Sequence, residues 1–94
     1  MPKFIVVHTM PKEALKAMLA MPPEEMADTI KLRTFCSFNA YWVRTWVVPE
    51  QEKIYCEWNA KDAESIRKVF EKVPGEWGIE GIYEMRIWDA EDFR

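Results

Sequence analysis

Apolar positions recur along this chain with two alternating periods, and the changes of period mark its elements. Lys3-Phe4-Ile5-Val6-Val7-His8-Thr9 is short, apolar and β-branched, which predicts a strand running straight into a helix start at Met10-Pro11. Pro11 suits a first helical turn, Thr9 is a candidate cap, and Leu15, Met18 and Leu19 recur at helical spacing until Pro22-Pro23 interrupts them. The second proline, with Glu24-Glu25, opens a further helical stretch bearing Met26 and Ile30 that ends between Lys31 and Thr34. Aromatic and β-branched residues from Ala40 to Val48, a polar connector from Pro49 to Glu52, and a similar run from Lys53 to Trp58 predict a hairpin. Asp62 then caps a helix with Ala63, Ile66, Phe70 and Val73 on one side, ending at Pro74-Gly75. Ile79 to Trp88 predicts a last strand, and residues 89–94 a tail.

The order β-α-β-β-α-β is that of ferredoxin-like α+β folds, in which helices cover one face of a four-stranded antiparallel sheet and leave the other bare. Side chains alternate between the faces of a strand, so parity assigns them. With residues 49–52 as the turn, Arg44 falls opposite Glu57. Tyr41, Val43, Thr45, Val47, Ile54, Cys56 and Trp58 then share the helix side with Ile5, Val7, Tyr83, Met85 and Ile87. Trp42, Arg44, Trp46, Val48, Tyr55 and Glu57 share the bare side with Phe4, Val6, His8, Glu84, Arg86 and Trp88. One β-bulge in strand two or four exchanges these lists locally.

Length and charge narrow the picture. Residues 1–94 suit a single domain with one core, and a chain 49% hydrophobic and 31% charged is balanced as folded chains are. Five Trp, five Phe and three Tyr exceed what so small an interior hides, so some rings sit at the surface or an interface. A net charge of -3 repels phosphate backbones, which argues against a nucleic-acid partner. No apolar run nears the roughly 20 residues that span a bilayer, and Met1-Pro2-Lys3-Phe4 does not begin a signal peptide. A cytoplasmic protein with no membrane partner is expected. Cys36 and Cys56, in no metal-finger spacing, are then expected as free thiols.

Tyr55-Cys56-Glu57-Trp58-Asn59-Ala60, followed by Asp62-Ala63-Glu64 and Ile66-Arg67, resembles a family of small proteins, long of unassigned function, some of which bind nickel. Val7-His8 and Ile82-Tyr83-Glu84-Met85 are similar to that family's first and last strands. The resemblance implies a dimeric α+β barrel, two sheets meeting face to face, with ligand or metal sites near the sheet faces and their rims. Two departures stand out. The stretch from Pro22 to Phe38 is longer than the family's first connection, and the second helix lacks the histidine expected there, leaving His8 as the chain's one imidazole.

The candidate ligand-binding residues are therefore His8, Trp42, Arg44, Trp46, Tyr55, Glu57, Glu84 and Arg86. His8, Glu57 and Glu84 form a candidate donor set for nickel or another divalent metal, which accepts imidazole beside oxygen groups. His8 is open to three roles: metal ligand, acid/base or ligand contact in a pocket, or packed structural residue. Glu57 and Glu84 serve as general bases if desolvated, or else pair with Arg44 and Arg86 across strands. Trp42, Trp46 and Tyr55 form an aromatic strip suited to a flat ligand or a dimer interface. Cys56 follows core parity, as a small hydrophobe does. No Gly-rich phosphate loop, nucleophile elbow or Cys-x-x-Cys is present. Two functions follow: a homodimer binding a small ligand or divalent metal on the open sheet face, or a cofactor-independent barrel enzyme of monooxygenase or isomerase type using His8 as acid/base.

Overall fold

The computed structural model describes residues 1–94. Its elements run β1 (Lys3–Thr9), α1 (Lys12–Ala20), α2 (Ala27–Thr34), β2 (Ala40–Val48), β3 (Lys53–Ala60), α3 (Ala63–Glu71) and β4 (Ile79–Met85), with short 3-10 turns between and after them. The strands form one antiparallel sheet in the order β2-β3-β1-β4, the ferredoxin-like arrangement, with α2 as an extra helix in the first crossover. The last strand is shorter than the apolar pattern suggests, because residues 86–88 leave the sheet.

One cluster of buried side chains fills the space between sheet and helices: Phe4 and Val6 from β1, Ile54, Cys56, Trp58 and Ala60 from β3, Leu15, Leu32, and Ile66, Val69 and Phe70 from α3. α3 is held at its start by Asp62, whose carboxylate accepts from the Ser65 amide at 2.8 Å and its hydroxyl at 2.7 Å. These bonds hold the carboxyl below the usual carboxylate range.

α1 is capped from a distance. No side chain of its own first turn caps it; the Glu52 carboxylate, beyond the β2–β3 turn, accepts from the Lys12 amide at 2.7 Å, and the Glu52 carbonyl accepts from Met10 at 3.1 Å. Reaching that position puts Glu52 in the left-handed region, φ 56°. The expected cap, Thr9, instead accepts from Lys53 Nζ at 2.9 Å.

Parity holds on β3 and fails on β1. The register places Phe4, Val6 and His8 opposite Trp58, Cys56 and Ile54, and all six are buried against the helices. Ile5 and Val7 instead lie on the open face, opposite Glu57 and Tyr55. On β2, Arg44 pairs with Glu57 as the turn count requires, but a bulge at Val43 puts Trp42 opposite Trp58, on the helix side. Trp42 therefore packs on the core, its indole donating to Thr45 Oγ1 at 2.7 Å. Tyr41 moves to the open side with Asn59, and Tyr83 and Met85 join it there opposite Ile5 and Lys3.

Candidate functional site

The open sheet face carries a broad groove of about 880 Å³ lined by Lys3, Ile5, Arg44, Trp46, Val48, Tyr55, Glu57, Met85, Ile87 and Asp89. Its rows follow from the ladder: Trp46 faces Tyr55, Arg44 faces Glu57, and Ile5 sits beside Glu57 on the next strand. Tyr55 is steadied by its hydroxyl, which donates to Gln51 at 2.6 Å.

Glu57 is the exceptional member. No helix covers it, yet it is only 4% exposed. Lys3 Nζ meets one carboxylate oxygen at 2.7 Å and Arg44 Nε the other at 3.1 Å. Burying a carboxylate is costly, and two charge-assisted contacts offset much of that cost. Both cations stay partly in water, their side chains 35% and 64% exposed. The result is a buried carboxylate with two partly exposed counter-charges, between a wall of Trp46, Tyr55 and Val48 and one of Ile5 and Met85.

His8 lies on the opposite side of the sheet, 4% exposed. Its Nδ1–H donates to the Trp77 carbonyl at 2.6 Å, and its ring meets Phe70 edge-on with centroids 5.6 Å apart. Trp77 is brought there by Gly78, whose carbonyl accepts the Thr9 amide at 2.7 Å. A side chain on Gly78, at φ 58°, meets the Thr9 carbonyl at 2.3 Å, so only glycine lets this loop close on β1. Burial pushes the imidazole below its ordinary pKa, and the bond to Trp77 recovers part of the shift. Such an imidazole is neutral and packed, which is the structural role of the three.

The expected donor set is therefore not gathered. Glu57 faces the groove, His8 the core, and Glu84, opposite Phe4, is exposed on the helix side. Arg86 follows the end of β4 and forms no ion pair with Glu84. No three His, Cys, Asp or Glu side chains stand close enough to hold a metal ion, so the residues of this single chain do not fit a resident nickel centre. Of the expected binding residues, Arg44, Trp46, Tyr55 and Glu57 come together, whereas His8, Trp42, Glu84 and Arg86 do not. Lys3 was missed, although it shares the parity of Ile5 and a lysine marks a wetted face. Cys56 is buried, its thiol pushed up to about 11 by that burial, which the Thr45 hydroxyl at 3.1 Å partly opposes.

A family model described as nickel responsive protein SCO4226-like matches residues 4–84. The crystal structure of SCO4226 from Streptomyces coelicolor A3(2) is similar, with a TM-score of 0.60 and 19% identity over 93% of this chain and 99% of that chain. At that identity the likeness shows a shared fold. Among curated proteins nothing matches.

Proposed function

Because the chain belongs to the SCO4226-like family of nickel-responsive proteins, we propose that it is a cytoplasmic homodimeric binding protein whose open sheet face encloses the ligand space. The observation that carries this reading is Glu57, a charged group kept almost dry on a face that no helix covers. A second copy laid over that face also explains why Trp46, Tyr83 and Ile87 are each about half exposed in one protomer, at 48%, 53% and 49%. In this reading Lys3, Arg44 and Glu57 are the polar contacts, and Trp46 and Tyr55 the walls for a small ligand. A divalent ion on this face requires donors from both copies, because one copy offers only Glu57 and Asp89 to the groove.

The enzyme alternative, with His8 as acid/base on the open face, has lost the geometry it needs. Binding remains the reading. Light scattering on untagged protein is expected to give twice the 11.2 kDa chain mass, and Trp46→Glu is expected to return it to the single-chain mass. In calorimetric titration with nickel(II), heat that disappears in Glu57→Gln and persists in His8→Gln supports the groove. Heat lost only in His8→Gln, or a protein that stays monomeric throughout, overturns the reading.

A further inference from the structure

Away from the groove, the turn between α2 and β2 carries a feature that neither core nor groove uses. Phe38 is 95% exposed, in a chain whose other large apolar residues are all better covered. The turn beneath it is closed in both directions, with Ser37 donating to the Ala40 carbonyl at 2.8 Å and Ala40 to the Ser37 carbonyl at 3.3 Å. Asn39 donates to Ser37 Oγ at 3.2 Å, and its carbonyl accepts from the Lys61 amide at 2.8 Å. The backbone polar groups of Ser37, Asn39 and Ala40 are therefore paired within the protein, and those of Phe38 itself face outward. That pairing suits a loop that approaches the hydrated headgroup boundary, where the two free groups of Phe38 still meet water, and not one that enters the hydrocarbon, where each unpaired N–H or C=O is expensive. In the segments on either side of the tip, Ile30, Phe35 and Tyr41 are also partly exposed, at 49%, 40% and 38%.

Charge around the tip runs against that of the whole chain. From Thr29 to Pro49 there is no Asp or Glu, while Lys31, Arg33 and Arg44 are present, in a protein of net charge -3. Lys31, Arg33 and Lys61 are exposed and form no salt bridge. Lys61 is tied to the turn through Asn39, and the neighbouring Asp62 is engaged with Ser65. An exposed aromatic tip, with unpaired Lys31 and Arg33 in the helix that leads to it and Lys61 bonded to its turn, combines the two signals that peripheral membrane attachment needs, apolar insertion and attraction to anionic headgroups. A single protruding ring is not the platform on which successive bases stack, which speaks against single-stranded nucleic acid.

We propose that the Phe38 turn is a docking point for an anionic bilayer interface, Phe38 entering the headgroup boundary while Lys31, Arg33 and Lys61 face lipid phosphates. No helix of the chain is long and apolar enough to cross a membrane, so the contact is one of surface attachment. It goes beyond the expectation of no membrane partner, which rested on the lack of a spanning segment and of a signal-peptide start.

The test is pelleting of the full chain with vesicles of phosphatidylcholine containing phosphatidylglycerol, beside vesicles of phosphatidylcholine only. Binding is expected to the anionic vesicles, to weaken with salt, and to fall about fivefold for each charge removed in Lys31→Gln and Arg33→Gln. Phe38→Ala is expected to lower it roughly tenfold with an unchanged thermal midpoint, since the ring touches little of the fold. Equal binding by both vesicle types, no binding at all, or wild-type binding by Phe38→Ala each overturns the proposal. So does light scattering in which Phe38→Ala dissolves a self-association, because the tip then belongs to a second copy.

Discussion

Acidification should weaken this fold through one group. His8 is the single histidine, so between pH 7.5 and 5.5 no other imidazole titrates. Its folded pKa lies below the ordinary value, with burial as the larger cause. The unfolded chain, whose imidazole titrates near pH 6.5, therefore binds the proton first. The contribution is fully present above that value and is lost as pH falls from about 6.5 toward the folded pKa. The slope cannot exceed about 1.4 kcal/mol per pH unit, and the loss between pH 7.5 and 5.5 cannot exceed about 1.4 kcal/mol. For a domain of this size that limit is a fall in thermal midpoint of roughly 5–10 °C.

His8→Gln isolates the effect, because an amide can still donate to the Trp77 carbonyl but does not titrate. At pH 7.5 the variant loses the edge-on contact with Phe70 and some packing, about 1–2 kcal/mol. As pH falls, its deficit should shrink, since the wild type alone is losing stability. Urea unfolding of both proteins at pH 7.5, 6.5 and 5.5 checks this. Parallel curves with a constant gap, or a wild type equally stable at all three values, would refute the assignment of His8 as a neutral core group. Asp62 and Glu80, both held below the carboxylate range by hydrogen bonds, from Ser65 and from Lys53, act only at lower pH and do not blur the window.

The remaining predictions concern single contacts. Glu52→Ala removes the cap of α1 but keeps a side chain at φ 56°, so a loss of about 1 kcal/mol or more is expected; Glu52→Gly relieves the backbone and should fall between Ala and wild type in urea unfolding. Thiol titration of the native protein should modify half-buried Cys36 and spare Cys56, whose pKa is pushed up to about 11, until denaturant is added; fast labelling of both contradicts the packing. The indole N–H of Trp58 is buried without an acceptor, so Trp58→Phe should cost less than about 3 kcal/mol by calorimetry, the lost volume being partly offset by removal of an unpaired donor.

The hairpin was the most legible part of the sequence. Counting from the turn gives Val48 opposite Lys53 and reaches Arg44 opposite Glu57 without error, because the register of a short hairpin is fixed locally. One residue further the count breaks, since the bulge at Val43 leaves no mark in composition and carries Trp42 to the core. On β1 the obstacle is different. Phe4-Ile5-Val6-Val7 is apolar throughout, as suits a central strand with both faces partly covered, so alternation offers no guide. The polar character of His8 points to the open face, yet the ring is satisfied by a carbonyl 69 residues away that local sequence cannot announce. Lys3, of the opposite parity, carried the correct signal, and its contact with Glu57 shows why.

His8 and Glu57, the two buried polar groups, lie on opposite faces of the sheet. When His8 and Glu57 are placed on one face, an imidazole and a carboxylate share a site, and a change of pH alters binding and stability together. Here the sheet stands between them. Protonation of His8 acts on the α3 side, through Phe70 and the Trp77 loop, while Glu57 answers to Lys3, Arg44 and whatever covers the groove. Ligand or metal binding on the open face should therefore survive His8→Gln even where that variant has lost stability, provided binding is measured well below its thermal midpoint. A loss of both in parallel would mean that the two faces communicate through β1, where Ile5 and Val7 back onto the core strand. The separation would then be one of position and not of energy.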